Sequence, residues 1–456
     1  MAAACRVNSV RLMSSLSRHV FHPLWDVKDS SRRLQILREL ERTQWLSREV
    51  LLQKQRERLE RIVRYAGSAS PYYQRLFREH RFDPERFDLD AFTALPLLTK
   101  GAIRDFTDEM LSRQIPRERL GQHKTGGSTG VSLTTYFDQE WDDAKHADSL
   151  RSDQWAGCFH GMKVAALWGN PPVARSLKDR LRELLYDRRM YLDTINLSER
   201  TMADFASRWR RERPEILLGH SHSLYMLALF VLDQRIGDFR PQGIISTSMT
   251  LLANERQVIE QAFACKVTDR YGCEEVGLIA SECEQHAGLH LNIEHQYIEF
   301  LRPDGTAAAV GEEGAIVITD LLNRGMPFIR YRIEDIGVPS GRDCPCGRGL
   351  PLMERVTGRV ADYLKRRDGS LVAGVSLIER TLTAIPGIAQ MQIVQPSRED
   401  IILNVVRSAE YGPDSERALI EELRTVFGPG INFRAEYVQR IPQERSGKYR
   451  FSICRV

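Results

Sequence analysis

Short apolar segments alternate with helical segments through the middle of this chain, and that alternation restricts the fold more than any other feature. Three apolar segments have the length of strands: Val164 to Trp168, Ile216 to Leu218 and Gly243 to Thr247. Residues 198–211 and 253–264 carry apolar side chains at helical spacing. This order predicts an α/β domain.

The segments on either side extend this prediction. Residues 47–66 have the period of an amphipathic helix that packs on the large domain. Its apolar positions are Leu51, Leu52, Leu59, Ile62, Val63 and Ala66. Residues 314–319 and 328–331 predict short strands of a β-rich subdomain that closes the large domain.

A small α+β domain is expected after a boundary near Asp362. Residues 391–394 and 401–405 predict a hairpin, and residues 432–438 predict a strand. A helix is expected over 414–427, capped by Asp414 or Ser415. The chain therefore divides into an N-terminal extension (1–25), a large domain (26–361) and a small domain (362–456).

Composition limits the class of protein. The chain has 456 residues, which exceeds the usual size of one domain. Its net charge of +4 comes from 65 basic and 61 acidic residues of mixed order, which favours neither a nucleic-acid nor a membrane partner. No apolar run approaches the roughly 20 residues that span a bilayer. Eight irregularly spaced cysteines indicate a reducing compartment, and we expect a cytoplasmic protein.

The N-terminal extension has its own composition. Nothing before Asp26 is acidic, whereas Arg6, Arg11 and Arg18 lie among serines. This pattern is similar to that of an organellar transit peptide, but a loosely ordered bacterial N-terminus is the interpretation that we prefer.

A loop rich in glycine and hydroxyl groups runs from Lys124 to Gly130 and leads into a predicted strand. Glycines let backbone N–H groups approach a phosphate, and Thr125, Ser128 and Thr129 add hydroxyl donors. The lysine comes first, so the loop is not a Walker A motif. A surface turn is the alternative interpretation.

Two later motifs add an aromatic ring and carboxylates. In the segment 269–277, Tyr271 could stack on an adenine and Glu275 could hold Mg²⁺; the alternative is a strand corner with a buried tyrosine. In the segment 327–337, Asp335 could accept the ribose hydroxyls. Its alternative is a surface ion pair with Arg330 or Arg332.

Two further segments, Thr357 to Lys365 and Arg445 to Arg450, complete an ordered series of five. In order and spacing the series resembles the adenylate-forming superfamily of acyl-CoA synthetases and adenylation domains. The likeness is strongest to the phenylacetate-CoA ligase and CapK group, which has a sequence similar to Leu95–Lys100 and the same form of glycine loop. It runs from about Trp45 to Lys448.

The resemblance implies a role for each motif. Tyr271 would bind the adenine and Glu275 the Mg²⁺, while Asp335 and Arg359 would hold the ribose. Asp362 would be the hinge of a mobile C-terminal lid, and Lys448 the catalytic lysine. The ATP phosphates would be bound by Thr125, Gly126, Gly127, Ser128, Thr129 and Gly130.

The implied reaction joins a carboxylic acid to AMP, releases pyrophosphate and passes the acyl group to CoA. A lysine over the α-phosphate would stabilise the charge that develops in the first step. Two alternatives stay open: transfer to an amine or carrier thiol, and a degenerate scaffold that only binds nucleotide. A homodimer is compatible with the sequence.

The acyl pocket is placed by position only. This chain has Ser246-Thr-Ser-Met-Thr250 where many relatives have a glutamate, so contacts there differ from the family pattern. For each pocket residue, core packing is the alternative role. The residues expected to line the pocket are Trp168, His220, Ser221, Tyr225, Ser248 and Gly272.

A C-x-x-H and a C-x-C pair predict a structural zinc site. The expected ligands are Cys283, His286, Cys344 and Cys346, with His290 as the substitute for His286. Free thiols at a turn are the alternative. Cys273 is expected in the acyl pocket, and the four other cysteines are expected to be ordinary thiols.

Overall fold

The protein is described by a computed structural model that covers all residues except 1–11, 126–132, 169–175, 195–197, 360–362, 369–370, 374–376, 378–380, 382–383, 442–449 and 451. Helices and strands alternate along most of this length, as expected for an α/β fold. The helices are Ser17–Phe21, His22–Lys28, Arg33–Thr43, Arg48–Ala69, Pro71–Glu79, Pro84–Arg86, Leu89–Thr93, Lys100–Asp105, Thr107–Met110, Arg117–Arg119, Gln139–Trp155, Leu177–Arg182, Glu183–Asp187, Glu199–Glu212, Ser221–Asp233, Ala253–Phe263 and Pro413–Phe427.

The strands form one large sheet and three smaller ones. They are β1 (Gly121–Thr125), β2 (Leu133–Phe137), β3 (Val164–Trp168), β4 (Arg189–Asp193), β5 (Ile216–His220), β6 (Gly243–Thr247), β7 (Val267–Cys273), β8 (Gly277–Glu282), β9 (Leu289–Leu291), β10 (Gln296–Leu301), β11 (Gly314–Asp320), β12 (Tyr331–Pro339), β13 (Leu352–Arg359), β14 (Tyr363–Lys365), β15 (Leu371–Ala373), β16 (Ile388–Gln395), β17 (Asp400–Arg407), β18 (Asn432–Tyr437) and β19 (Ser452–Cys454).

The large sheet has eleven strands in the order β10-β11-β12-β13-β9-β8-β7-β6-β5-β3-β4. From β4 to β7 the neighbours are parallel, and from β7 onward they are antiparallel. The parallel half has helices between its strands, so the carboxyl ends of β3, β5, β6 and β7 meet at one edge.

The long helix Arg48–Ala69 packs on the antiparallel half. It begins after Ser47, whose hydroxyl accepts a hydrogen bond from the Val50 N–H at 3.4 Å. Leu59 and Val63 are completely buried in the core of that half, whereas Leu52 is 44% exposed. Leu52 was predicted to belong to the apolar face and instead lies outside it.

One predicted strand starts later than expected. Residues 328–331 were predicted to be a strand, but β12 begins at Tyr331. Arg330 has a left-handed φ of 51°, which interrupts an extended chain. Its buried guanidinium pairs with Glu299 at 3.0 Å and also donates to the carbonyl oxygens of Thr93 and Leu95. The tertiary ion pair, which local pattern cannot show, sets the strand boundary.

The C-terminal region has its own four-stranded sheet, ordered β18-β17-β16-β19. The predicted hairpin is β16 and β17, and β18 and β19 add in parallel on either side. The helix Pro413–Phe427 packs on this sheet through Leu419 and Leu423, which are fully buried. Near its start the Ser415 hydroxyl accepts from the Gly412 N–H at 3.2 Å.

A buried polar contact joins the C-terminal sheet to the large sheet's helices. His222 Nδ1 lies 2.8 Å from a carboxylate oxygen of Glu255, and the Gln390 amide nitrogen on β16 lies 3.1 Å from His222 Nε2. Both ring nitrogens are therefore satisfied if Nδ1 carries the proton.

The N-terminal extension, expected to be loosely ordered, is helical from residue 12. The Ser17 hydroxyl donates to the Leu185 carbonyl at 2.7 Å, and the His22 ring stacks on Tyr186 with centroids 4.2 Å apart. Within the described ranges, no helix is both long and apolar enough to cross a bilayer.

We predict that acid loosens this N-terminal docking through His22. Burial, then the charge of Arg33, lowers the pKa of His22 from 6.5 to about 3. Between these two pKa values the unfolded chain binds a proton at His22 and the folded chain does not. The folding stability that is present above the ordinary histidine pKa is therefore lost as the pH falls below it. At about pH 5 the loss should be about 2 kcal/mol relative to neutral pH.

Protection of the helix His22–Lys28 against hydrogen exchange, compared at the two pH values, measures this loss. His22→Phe keeps the ring stacking but binds no proton, so it should remove most of the pH dependence. His146→Phe, at an exposed histidine, should keep it. The idea is wrong if His22→Phe responds to pH as the wild type does.

Candidate active site

The carboxyl ends of the parallel strands form the edge on which the site is built. Trp168 ends β3, His220 ends β5 and Thr247 ends β6, and His220 is directly opposite Thr247 in the sheet. Ligands of open α/β sheets bind in the crevice outside this edge. Four of the six predicted acyl-pocket residues, Trp168, His220, Ser221 and Ser248, end these strands or follow them directly.

The predicted acyl pocket has an exposed end and a buried end. Trp168 is 36% exposed, and its ring lies 4.6 Å from that of the buried His220. The Ser221 hydroxyl lies 2.7 Å from that of Ser246, and it donates to the Met249 carbonyl at 2.9 Å. Ser221 is thus engaged in holding the chain after β6, where Ser248 has a left-handed φ of 67°.

The two remaining pocket candidates lie differently. Tyr225 is half-buried one turn into the helix Ser221–Asp233, and burial raises the pKa of its hydroxyl. At Gly272, a Cβ would lie only 2.5 Å from the Gly277 carbonyl oxygen on β8. Gly272 is therefore required for the close approach of two strands, and any role in the pocket comes from its backbone.

The residues assigned to the nucleoside lie together. The Tyr271 hydroxyl on β7 donates to Asp335 on β12 at 2.7 Å. Asp335 is directly opposite Arg359 in the β12–β13 ladder. Of the two arginines named as alternative partners of Asp335, Arg330 pairs with Glu299 instead.

Glu275 lies in the turn that follows β7 and is only 8% exposed. The Tyr331 hydroxyl is 3.5 Å from its carboxylate. The nearby Cys273 is half-buried, and desolvation raises the pKa of its thiol, so the thiol is neutral at physiological pH. Glu275 is therefore the buried carboxylate of this turn that could serve a metal ion beside substrate phosphates.

The glycine-rich loop connects the two strands of a hairpin. Thr125 pairs with Leu133 in the β1–β2 ladder. At the base of the hairpin, the His123 ring stacks on Phe137 with centroids 4.3 Å apart. This pairing places the two ends of the segment 126–132 side by side.

Lys145 ties the hairpin to the carboxylate-bearing turn. Its ammonium lies 2.8 Å from a carboxylate oxygen of Glu274 and 3.4 Å from His123 Nε2. This residue was missed in the sequence, where it is one lysine of an ordinary helix. Tertiary placement alone brings it to His123 on β1 and to Glu274 after β7.

Several predicted residues lie outside the described ranges. They are Gly126, Gly127, Ser128, Thr129 and Gly130 of the loop, the hinge Asp362 and the catalytic Lys448. The backbones of Thr125 and Arg359 belong to β1 and β13.

A second cluster lies on the antiparallel half of the sheet. Cys283, His290, Cys344 and Cys346 place four ligand atoms within 4.8 Å of one another. The Cys283 and Cys344 sulfurs are 3.6 Å apart, and Cys346 Sγ is 3.4 Å from His290 Nε2. A tetrahedral Zn²⁺ with Zn–S bonds of about 2.3 Å would hold its sulfurs roughly 3.8 Å apart. The donors therefore fit this ion.

The surroundings favour the metal-binding forms of His290 and Cys346, whereas burial raises the pKa of the Cys283 and Cys344 thiols. His290 Nδ1 lies 3.2 Å from the Leu350 carbonyl, which orients Nε2 toward the sulfurs. Burial lowers the pKa of His290 to about 4, so the ring is neutral. Burial opposes ionisation of Cys346, but hydrogen bonds from Arg348 outweigh it and lower the pKa of this thiol.

His286 does not belong to the cluster, contrary to the first choice from the sequence. Its Nδ1 instead lies 3.2 Å from the Glu282 carboxylate, four residues earlier. A left-handed φ of 49° at His286 belongs to the turn that follows β8. His290 on β9, the substitute, takes the fourth position.

Residues 364–455 match the protein family described as the CapK C-terminal domain. The chain is 24% identical to protein CapK of Staphylococcus aureus over 409 residues, which is 88% of this chain and 89% of the relative. It is 27% identical to a phenylacetate-coenzyme A ligase of Thermus thermophilus over 378 residues, which is 78% of this chain and 80% of the relative.

The fold is similar to that of 2-hydroxyisobutyryl-CoA ligase, crystallised in the postadenylation state with an acyl-AMP. The TM-score is 0.69 at 20% identity, covering 87% of this chain and 88% of that chain. These likenesses confirm the resemblance to the adenylate-forming ligases of the phenylacetate-CoA ligase and CapK group. They also confirm an α/β fold with a C-terminal domain.

The four-residue cluster predicts the zinc content of the purified protein. Protein purified without chelator should contain about one zinc per chain. His290→Ala should lower that content strongly, because it removes one of four ligands. The matched control His286→Ala should leave it unchanged. Elemental analysis measures the zinc content. The assignment is wrong if the wild type contains no zinc, or if the His286 variant loses zinc and the His290 variant keeps it.

Proposed function

We propose that this protein is an ATP-dependent, AMP-forming ligase that activates a carboxylic acid and transfers the acyl group to CoA. The hydrogen bond between Tyr271 and Asp335 carries the proposal. It joins two motifs that are 64 residues apart, next to the strand edge where an α/β sheet binds ligands. A ring that stacks on adenine and a carboxylate that accepts ribose hydroxyls belong side by side in a nucleoside site.

In the first half-reaction, a carboxylate oxygen of the acid attacks the α-phosphorus of ATP and pyrophosphate leaves. Two anions approach each other, so the protein must supply positive charge and exclude water. Lys448 would contribute the cation at the α-phosphate. Glu275 would hold Mg²⁺, which neutralises the phosphates, while the loop of Thr125 to Gly130 wraps them.

In the second half-reaction, the CoA sulfur attacks the acyl carbonyl and AMP leaves. The C-terminal domain would rotate about Asp362, withdraw Lys448 and admit the thiol. The likeness to phenylacetate-CoA ligases and to 2-hydroxyisobutyryl-CoA ligase supports CoA as the acceptor. Trp168 and His220 would form the aromatic end of the acyl pocket.

A second candidate keeps the first step and changes the acceptor. The C-terminal domain matches the CapK family, and protein CapK of Staphylococcus aureus is similar to 88% of this chain. In this version the acyl group passes to an amine or to a carrier thiol. Both versions need the same adenylation chemistry, so dependence of the product on CoA separates them.

The zinc ion proposed for Cys283, His290, Cys344 and Cys346 would be structural. Four protein ligands leave no open coordination position for substrate or water. The cluster also lies beside the antiparallel half of the sheet, away from the edge that carries His220. It would cross-link the turn after β8 to the loop before β13.

We predict that Lys448→Ala slows acid-dependent pyrophosphate release by about 10²-fold, equivalent to about 3 kcal/mol of lost electrostatic stabilisation. ATP affinity should change much less, because the cation acts on the developing charge. The matched control Lys266→Ala removes an exposed lysine remote from the site and should be silent.

The assay measures pyrophosphate release from ATP across aryl, fatty, hydroxy and amino acids, with and without CoA. Release that depends on one class of acid and on Lys448 would support the proposal and identify the substrate class. Tight ATP binding in calorimetry, with no release for any acid, would favour a nucleotide-binding scaffold. Equal rates for wild type and Lys448→Ala would refute the assigned role of this lysine.

A further inference from the structure

Three leucines of one helical segment point into solvent. Leu177, Leu181 and Leu184 are 78%, 57% and 62% exposed. They follow one another at intervals of four and three residues, so they lie on the same face. Isolated exposed leucines are ordinary, but a row of them marks a contact surface.

The neighbouring N-terminal helical segment, residues 12–28, shows the same feature. Five of its large apolar side chains recur every three or four residues, and each of the five is exposed by 38% or more. They are Leu12, Leu16, Val20, Leu24 and Val27. We call these five residues, with Leu177, Leu181 and Leu184, the leucine surface.

The two helical segments are in direct contact. Ser17 and His22 bond and stack against Leu185 and Tyr186, as described above. The Arg182 guanidinium also lies 5.5 Å from the Trp25 ring centroid. The two segments pack against each other through these side chains, and the apolar side chains of the leucine surface remain exposed to solvent.

The exposed charges nearest the leucine row are positive. Lys178 and Arg180 lie about 100° and about 60° around the helix from Leu177, on either side, and both are exposed. Asp179 and Glu183 are less exposed, and Arg182 lies over the Trp25 ring and pairs with Asp187 at 3.2 Å. In the first segment, Asp26 is buried and paired with Arg33. A row of leucines flanked by cations is therefore presented to the outside.

We propose that the leucine surface binds the face of an anionic lipid bilayer, with both helical segments lying in the plane of the interface. Bilayers of this kind offer acyl chains to the leucines and phosphate groups to the flanking cations, which is the pattern of interfacial helices. The average net charge of the chain hides this local arrangement, which is why composition indicated no membrane partner.

A second copy of the chain fits the surface less well. It would match leucine with leucine, but it would also bring the basic flanks of both copies, Lys178 and Arg180, into one contact. Like charges at a desolvated contact are unfavourable. An anionic bilayer satisfies both the apolar row and its basic flanks.

Flotation of the full-length protein with lipid vesicles tests the proposal. The vesicles are phosphatidylcholine alone, and phosphatidylcholine with phosphatidylglycerol. Wild type should float with the anionic vesicles, and added salt should weaken binding. Replacing all three leucines (Leu177→Gln, Leu181→Gln and Leu184→Gln) should lower the partition coefficient at least about tenfold. The control Val310→Gln, at a residue 68% exposed in a remote turn, should bind like wild type.

Folding of the leucine variant is checked by circular dichroism, and the paired change Lys178→Gln with Arg180→Gln gives a second variant that should also bind less. No flotation of wild type, equal flotation with both vesicles, or unchanged binding of the leucine variant would overturn the proposal. The proposal would also be overturned if the wild type were a dimer in sedimentation equilibrium and did not bind vesicles, while the leucine variant was a monomer. The leucine surface would then join two copies of the chain.

Discussion

The close approach of β7 and β8 is the constraint on which the candidate site depends. β7 is parallel to β6 on one side and antiparallel to β8 on the other, so it joins the two halves of the large sheet. Only glycine fits at position 272, where a Cβ would meet the Gly277 carbonyl. Tyr271 and Glu275 flank this point. A wider spacing between the strands would move the ring away from Asp335 and the turn away from Lys145.

Local pattern was enough to predict β3, β5 and β6 of the parallel half, the C-terminal hairpin and the helix Pro413–Phe427, because buried strands and one-sided helices show their periods in the chain itself. It failed where a distant partner decides. The buried pair of Arg330 with Glu299 delays β12, and His290 is the histidine of the cysteine cluster because β9 brings it to Cys346. Spacing alone had made His286 the first choice. Lys145 carried no signal, since helical lysines are common and its neighbours come from other elements.

The sequence was enough to propose the candidate site residues, but it did not predict how they contact one another. The glycine loop, Tyr271, Glu275 and Asp335 were found because they form an ordered series, not because any one motif is specific. Their contacts were not predictable. The hydrogen bond of Tyr271 to Asp335 and the engagement of Ser221 with Ser246 depend on sheet order. Gly272 was assigned to the pocket, although its lack of a side chain serves strand packing.

The buried contact of Gln390 with His222 has a consequence for any movement of the C-terminal sheet. Gln390 comes from β16, whereas His222 and Glu255 belong to two helices of the large sheet. If the small domain rotates during turnover, the His222 ring must lose its contact with the Gln390 amide and contact water instead. The free energy of that exchange enters the equilibrium between domain orientations directly. The buried His222 and the half-buried Gln390 would then help to set the relative populations of the two domain orientations.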